Sequence, residues 1–430
     1  MSGTICVIAL LVLLTLGVPI GVAMGMVGMV GLILLVGFEP AVIKSGVVLF
    51  ETVSRYELGV LPLFLLMAHL CFAAGASRDF FDAAARIIGH RRGGLALASI
   101  GGCAGFGAIS GSSLATAATI GLIALPEMRK RGYSDALATG SIAAGGTLGS
   151  IIPPSGALIV FGILAEQSIG TLFTAAIVPG ITQALFYMIT IMILCRWRPS
   201  IGPATEKASW AERRAALLRI SDIGGLIVLV IGGIALGWFT PTEAASLGAV
   251  GSLLLCVLRR KLTAQALRTA LAETLRTAGM IYVVIIGALL FSVFMSFTGL
   301  AEQVSSFMNG LEGGRIMAII AMTLMLLLLG SVLDGLALML LTTPILLPIV
   351  IDLGLSPIWF GVYLVRTMEI GFIHPPVGIN LYVIQSIAPD VTLSRMFKGV
   401  LPFLAADFLH LALLIAVPGL ALALPEWLGS

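Results

Sequence analysis

Gly149-Ser150-Ile151-Ile152-Pro153-Pro154-Ser155-Gly156 is the stretch on which the reading of the fold turns. A proline lacks an amide hydrogen and clashes with the turn before it, so two in succession within an apolar run stop a helix. The block recurs as Gly371-Phe372-Ile373-His374-Pro375-Pro376-Val377-Gly378, displaced by 222 residues at both ends. The same displacement carries Pro126 onto Pro348 and Pro19 onto Pro241. Single prolines coincide by chance, but two G-x-I-x-P-P-x-G blocks with matching flanks do not. The chain therefore divides into two repeats, residues 1–220 and 221–430.

Composition says where those interrupted helices lie. The 430 residues are 59% hydrophobic and 10% charged, against about 25% charged in soluble proteins. So few charges cannot clothe a water-facing surface, which excludes a cytosolic enzyme, a nucleic-acid binder and a disordered scaffold. Successive apolar runs of 15–30 residues indicate an all-α polytopic membrane protein, since spanning strands would give short alternating segments. The net charge of +3 is too small to attract nucleic acid. Five cysteines, Cys6, Cys71, Cys103, Cys195 and Cys256, are scattered singly and read as small buried hydrophobes rather than a metal site or disulfide framework. There is no P-loop with which to hydrolyse ATP. Residues 1–38 carry no charge, so no basic n-region of a signal peptide is expected. That stretch is too long for one crossing and is expected to break near Gly17-Val18-Pro19 and to cross twice.

Basic residues give the path. Of 24 Lys and Arg, 20 fall in five clusters, Arg78 to Arg92, Arg129 to Arg131, Arg196 to Arg219, Arg259 to Arg276, and Arg395 with Lys398. The positive-inside rule puts all five in the cytoplasm and both termini in the periplasm. Between Arg92 and Arg129 the chain must leave and return. Legs of 16 and 13 residues, at 95–110 and 114–126, reach only about 24 and 20 Å, short of the ~30 Å hydrocarbon core. A re-entrant hairpin follows, its tip at Gly111-Ser112-Ser113. A second runs 315–330 and 335–351 around Gly330-Ser331-Val332-Leu333-Asp334-Gly335. Its flanks, 301–314 and 352–356, lack a basic cluster, so it should enter from outside. The tips align at a displacement of 219, which suggests a small length difference in one leg.

The first repeat thus comprises scaffold helices 1–76, hairpin 94–128, broken helix 134–165 and helix 170–195. The second comprises scaffold helices 221–300, hairpin 315–351, broken helix 357–388 and last helix 399–424. Inverted repeats with Gly/Pro-interrupted segments in corresponding places mark a secondary transporter. Freed carbonyls suit a cation and half-helix N-termini suit an anion, so ion-coupled solute movement is expected.

At these residues the sequence resembles the large membrane (permease) subunit of tripartite ATP-independent periplasmic (TRAP) transporters. The matching stretches are GSSLATAATIG at 111–121, GGTLGSIIPPSG at 145–156, WFTPTEAASLGA at 238–249, GSVLDGLALMLLTTPILLPI at 330–349 and EIGFIHPPVGINLYV at 369–383. The resemblance implies a sodium-driven importer of an organic acid in the bacterial inner membrane. It implies two partners, a periplasmic solute-binding protein and a small four-helix membrane subunit, and an elevator-type domain built from both hairpins and both broken helices. Carried over, one sodium site falls among Gly111, Ser112, Ser113 and the Gly149–Pro153 backbone, the other among Gly330, Ser331, Asp334 and the Gly371–Pro375 backbone. The sequence departs from the commonest pattern at Thr116, where many members have an acid, and at His374, where many have Thr. Candidate substrate contacts are Thr116, Asp334, Arg366 and His374.

The residues also admit plainer roles. Asp334 is an intramembrane carboxylate, functional by default, yet Asp also caps helices. Arg366 and Glu369, three apart on one helix, are expected to pair with each other, unless Arg366 meets a substrate carboxylate. Ser112, Ser113 and Thr116 suit ion ligation or small-residue packing. His374 suits a polar core contact. Thr240-Pro241-Thr242-Glu243 reads as a capping box. Segment 263–278 reads as an interfacial amphipathic arm, and 78–94 likewise. His69, His90 and His410 are given no role. The rival readings are a stand-alone carrier driven by protons through His374 or Asp334, and a membrane hydrolase using Asp334, Glu369 and His374, for which no second Asp motif, GxSxG or HExxH is present.

Overall fold

The computed structural model describes residues 3–299, 314–331 and 333–429. Val332 of the second tip, and the 301–313 part of the flank that orients that hairpin, lie outside the described residues.

Nineteen α-helices form, and no strand, among the described residues. In chain order they are α1 (Gly3–Thr15), α2 (Ile20–Val36), α3 (Phe38–Ser54), α4 (Val60–Ala73), α5 (Ala76–Ile88), α6 (Gly94–Ser110), α7 (Ser113–Lys130), α8 (Asp135–Ile151), α9 (Gly156–Leu164) and α10 (Ile169–Trp197). The second half gives α11 (Trp210–Ala235), α12 (Pro241–Leu258), α13 (Ala264–Thr298), α14 (Gly314–Gly330), α15 (Gly335–Asp352), α16 (Pro357–Gly371), α17 (Ile379–Ile387), α18 (Leu393–Ala416) and α19 (Gly419–Leu428). Seven helices are long and apolar enough to cross a membrane, or eight if α8 and α9, bent by 41° at their break, count as one span. One of the seven is α15, a hairpin leg, so length alone does not separate a leg from a crossing.

The sequence landmarks fall at helix ends. Pro19 precedes α2, so the uncharged stretch breaks where expected. Thr240 and Glu243 form a reciprocal capping box with Pro241 at the first helical position. Thr240→Ala should cost about 1 kcal/mol of stability, measurable as a lower melting temperature of the detergent-solubilised protein. The Pro-Pro blocks end α8 and α16, and both Pro–Pro bonds are cis.

The two hairpins match leg for leg. Both first legs, α6 and α14, have 17 residues, and both second legs, α7 and α15, have 18. Ser112 caps α7 by accepting from the Ala115 amide, and Asp334 caps α15 by accepting from the Ala337 amide. These pairs are again 222 residues apart. The length difference expected in a leg lies instead in the tip, which is two residues long in the first hairpin and four in the second. With the legs matched end to end Gly330 falls opposite Ser110, whereas by contact it answers to Gly107: Gly107 packs on Gly149, and Gly330 packs on Gly371.

The 263–278 segment is not a separate interfacial arm. It is the first part of one 35-residue helix, α13, continuous with the apolar span that follows. No proline or capping glycine interrupts 264–298, so nothing separates arm from span.

Glycines set how closely the scaffold helices approach. A Cβ on Gly21 would stand 2.7 Å from the Val284 Cα, and one on Gly287 would stand 2.0 Å from the Gly21 carbonyl. Helices α2 and α13 thus meet backbone to backbone, the contact that small residues permit in lipid. Helix α4 packs on both α12 and α13, completing a scaffold. The other body interleaves the repeats. Helix α8 lies against both legs of the first hairpin and α16 against both legs of the second, while α9 packs on α15 and α17 packs on α7.

Candidate functional site

Interleaving brings four helix beginnings to one place. Ser113, Gly156, Gly335 and Ile379 are the first residues of α7, α9, α15 and α17, and all four line a single cavity of about 440 Å³. Its opposite wall is the scaffold, with Ile20 of α2, Leu61 and Phe64 of α4, and Thr277, Met280, Ile281 and Val284 of α13. Ser110, Ser112, Ser113, Ser150 and Asp334, with Thr277 on the scaffold side, are its polar lining residues.

The first tip is held by close backbone approach and by hydroxyls. Gly111 turns the chain at φ +59°, and its carbonyl accepts from the Gly156 amide at 3.2 Å. A side chain there would also be driven to within 2.8 Å of the Pro154 carbonyl. A Cβ on Gly149 would stand 2.5 Å from Thr116 Oγ1 and 2.6 Å from the Ser112 carbonyl, so only glycine seats the broken helix on the tip. Thr116 is fully buried and bonds Ser110 at 2.7 Å, facing into the hairpin rather than the cavity. Ser113 Oγ lies 2.7 Å from Ser150 Oγ and donates to Glu369 Oε2 at 2.5 Å.

At the second tip Asp334 both caps α15 and faces the cavity. Ser331 donates to the Leu328 carbonyl, and the Gly330 carbonyl stands 2.7 Å from where a Gly371 Cβ would lie. Pro153 is buried behind the first tip and Pro375 half-buried behind the second; neither lines the cavity.

Arg366 and Glu369 do not pair with each other, contrary to the i, i+3 expectation. Arg366 Nη2 donates to Asp407 Oδ1 at 2.5 Å, and its Nε donates to His410 Nδ1 at 3.3 Å. Gln183 also donates to Asp407, and Thr182 bonds His410 Nε2 at 2.8 Å. Arg366, Asp407 and His410 are all 1% or less exposed, so this network joins α16, α18 and α10 away from the cavity. The Arg366 guanidinium pairs with the carboxylate that its geometry reaches, and α18 presents it. Arg366 therefore does not stand where a solute in the cavity would touch it. His374 packs edge-on against Phe408 of α18, with its Nδ1 buried and unpartnered, and it too is outside the cavity lining.

Glu369, expected from sequence only as the partner of Arg366 or as part of the hydrolase rival, stands instead at the first tip. It is fully buried and crosses from the second repeat to the first tip, with Oε2 held by Ser113 and Oε1 without a hydrogen-bond partner. A carboxyl group buried in this state must either carry a proton or have a cation beside it. The signal was visible in the sequence, because an ionisable residue in an apolar run is itself a functional pointer, but reading it as the partner of Arg366 absorbed it. Asp407, Gln183 and Ser150 went unread. No group of three or more metal-ligating side chains gathers among the described residues.

A family model described as "Tripartite ATP-independent periplasmic transporter, DctM component" matches residues 7–420. The chain belongs to this family. It is 35% identical over 406 residues, 94% of each chain, to the C4-dicarboxylate TRAP transporter large permease protein DctM of Pseudomonas aeruginosa. The isethionate TRAP transporter permease protein DctMQ of Oleidesulfovibrio alaskensis is 32% identical, over 95% of this chain and 64% of that one. In fold, the chain is similar to the crystal structure of the Alcanivorax borkumensis YdaH transporter, with a TM-score of 0.62 over 88% of this chain and 89% of that one at 14% identity. As a TRAP large permease subunit it is a multi-pass membrane protein that works with a small membrane subunit and a periplasmic binding protein.

Proposed function

We propose that this subunit imports an organic anion through the bacterial inner membrane, driven by sodium. The convergence of four helix N-termini on one cavity carries the reading. Each N-terminus presents about half a positive charge, which favours a carboxylate or sulfonate group on a solute, although caps and neighbouring carbonyls already take several of the first-turn amides. Two named relatives, for a C4-dicarboxylate and for isethionate, handle anions of that kind. Asp334 at the cavity wall and the fully buried Glu369 behind Ser113 work in the opposite sense: a cation nearby would offset them before an anion is held in the cavity. Such a pairing links solute and ion thermodynamically.

Sodium is a hard cation that takes oxygen ligands, and each tip offers backbone carbonyls together with hydroxyls or a carboxylate. The hairpins and broken helices form the moving body of an elevator, and α2, α4 and α13 form the wall it slides along. Basic loops are cytoplasmic and both termini periplasmic. On this reading the site gives no support to the hydrolase alternative.

Proteoliposomes carrying both membrane subunits test this, with binding protein and radiolabelled C4-dicarboxylate outside. Uptake should follow an imposed sodium gradient, require the binding protein, and not follow a pH gradient alone. Uptake driven by protons without sodium would overturn the coupling. Ser113→Ala and Asp334→Asn should each raise the sodium concentration for half-maximal uptake several-fold. An unchanged sodium requirement in both would remove the tips as ion sites.

A further inference from the structure

Three of the five basic clusters meet at one pocket on the side assigned to the cytoplasm. Arg78 of α5, Arg219 of α11, and Arg259 and Lys261 after α12 line a space of about 620 Å³ beside the end of α4. Four cations face two carboxylates there, Asp79 and Asp222. Both carboxylates are engaged by a single arginine. Arg259 donates to Asp79 at 2.5 Å and to both Asp222 oxygens at 2.6 and 2.8 Å. Arg78, Arg219 and Lys261 are exposed, and none makes an ion pair among the described residues. Asp82, one turn along α5, lines the adjoining cleft, and it too makes no ion pair with Arg78 or Arg219. Counting Asp82, whose charge acts on Arg78 and Arg219, four cations face three carboxylates, and the pocket keeps a net positive charge that the protein itself does not neutralise.

Apolar surface adjoins it directly. Leu218, inside the pocket rim, is 63% exposed, and Leu258, next to Arg259, is 76% exposed. On α12 the same face continues through Val257 and Leu254, both more than half exposed. A soluble phosphate would use the cations and leave these leucines bare. An anionic phospholipid uses both, with its phosphate among the cations and its acyl chains along α11 and α12. Basic pockets between helices at the cytoplasmic boundary have this chemistry.

We infer that this pocket binds the headgroup of an anionic phospholipid of the inner leaflet. The lipid ties α5 to the ends of α11 and α12, so it braces the scaffold rather than the moving body. Arg259, already saturated by its aspartates, sets the shape of the pocket, and Arg78, Arg219 and Lys261 hold the phosphate.

The test uses the two membrane subunits purified together in a neutral detergent, with thermal unfolding as readout. Phosphatidylglycerol should raise the melting temperature, whereas phosphatidylcholine, inorganic phosphate and glycerol 3-phosphate at equal concentration should not. Arg78→Gln combined with Lys261→Gln should leave the melting temperature in phosphatidylcholine unchanged. It should weaken apparent phosphatidylglycerol affinity roughly thirtyfold, as two charges at about 1 kcal/mol each require. Arg78→Lys should retain the effect. An equal shift from inorganic phosphate would make this a soluble-anion site and overturn the proposal. Equal shifts from both lipids, an unaltered shift in the double variant, or no lipid effect because the small subunit covers the pocket would each overturn it as well.

Discussion

Arg366→Met is expected to destabilise the protein by about 3–5 kcal/mol, one of the two largest effects foreseen for a single substitution. The change removes the cation that pairs with Asp407 among the described residues and leaves that carboxylate fully buried, with the neutral donors Gln183 and Tyr187 beside it. Uncompensated charge inside a membrane protein cannot recover its hydration by local opening as a surface charge can. Asp407→Leu alone should cost a similar amount, because it strands the guanidinium. The double variant Arg366→Met/Asp407→Leu should recover most of the loss, since two apolar groups of similar volume leave no charge behind. Thermal unfolding of all four proteins in detergent gives the coupling energy directly. A single-variant loss below about 1 kcal/mol would mean that the pair is no stronger than an exposed one, and the network would then not hold α16 to α18.

The same variants separate structure from transport. Because Arg366 faces α18 and α10 rather than the cavity, the double variant should keep the sodium requirement of the parent once it is stable enough to reconstitute. A guanidinium that held the solute's carboxylate would instead lose affinity for solute in both the single and the double variant.

Legibility from sequence followed a physical dividing line. Where the backbone itself decides, one chain suffices. Two prolines must stop a helix, glycine must turn it at positive φ, and a threonine three residues before a glutamate caps it. Those rules placed the breaks at the two Pro-Pro pairs, the turn at Gly111 and the cap at Thr240, and the helices end and begin there. Partners across the fold are another matter. Glu369 meets Ser113 across 256 residues, and Arg366 meets Asp407 across 41. Local spacing offered Arg366 a carboxylate three residues away, and nothing in the pattern shows that α18 brings a better one. Asp334 shows how both kinds of reading coexist: it caps α15 as its position after the tip predicts and still presents its carboxylate to the cavity. The continuous α13 marks the remaining failure, because amphipathic periodicity carries no information about whether the next, fully apolar turns continue in line.

Gly149→Ala should abolish sodium-dependent uptake, with at least a tenfold fall, while leaving assembly intact. The added methyl would lie 2.5 Å from Thr116 Oγ1 and 2.6 Å from the Ser112 carbonyl, and the second of these is backbone that cannot rotate away. Tip and broken helix must separate by several tenths of an ångström, at a cost of about 1–3 kcal/mol for overpacking. Scaffold contacts such as Gly21 on Val284 are untouched, so the protein should still insert and purify with its small subunit. Gly371→Ala is the matched experiment in the other repeat, where the methyl would meet the Gly330 carbonyl at 2.7 Å. Gly224→Ala and Gly279→Ala supply controls, since a Cβ at either meets nothing within 4 Å. If ion ligands are shared between each tip and its broken helix, both site variants should need more sodium and both controls should not. Normal uptake and sodium dependence in Gly149→Ala would show that the spacing between tip and broken helix is not what holds the ion, and the proposed coupling site would have to lie elsewhere in the cavity.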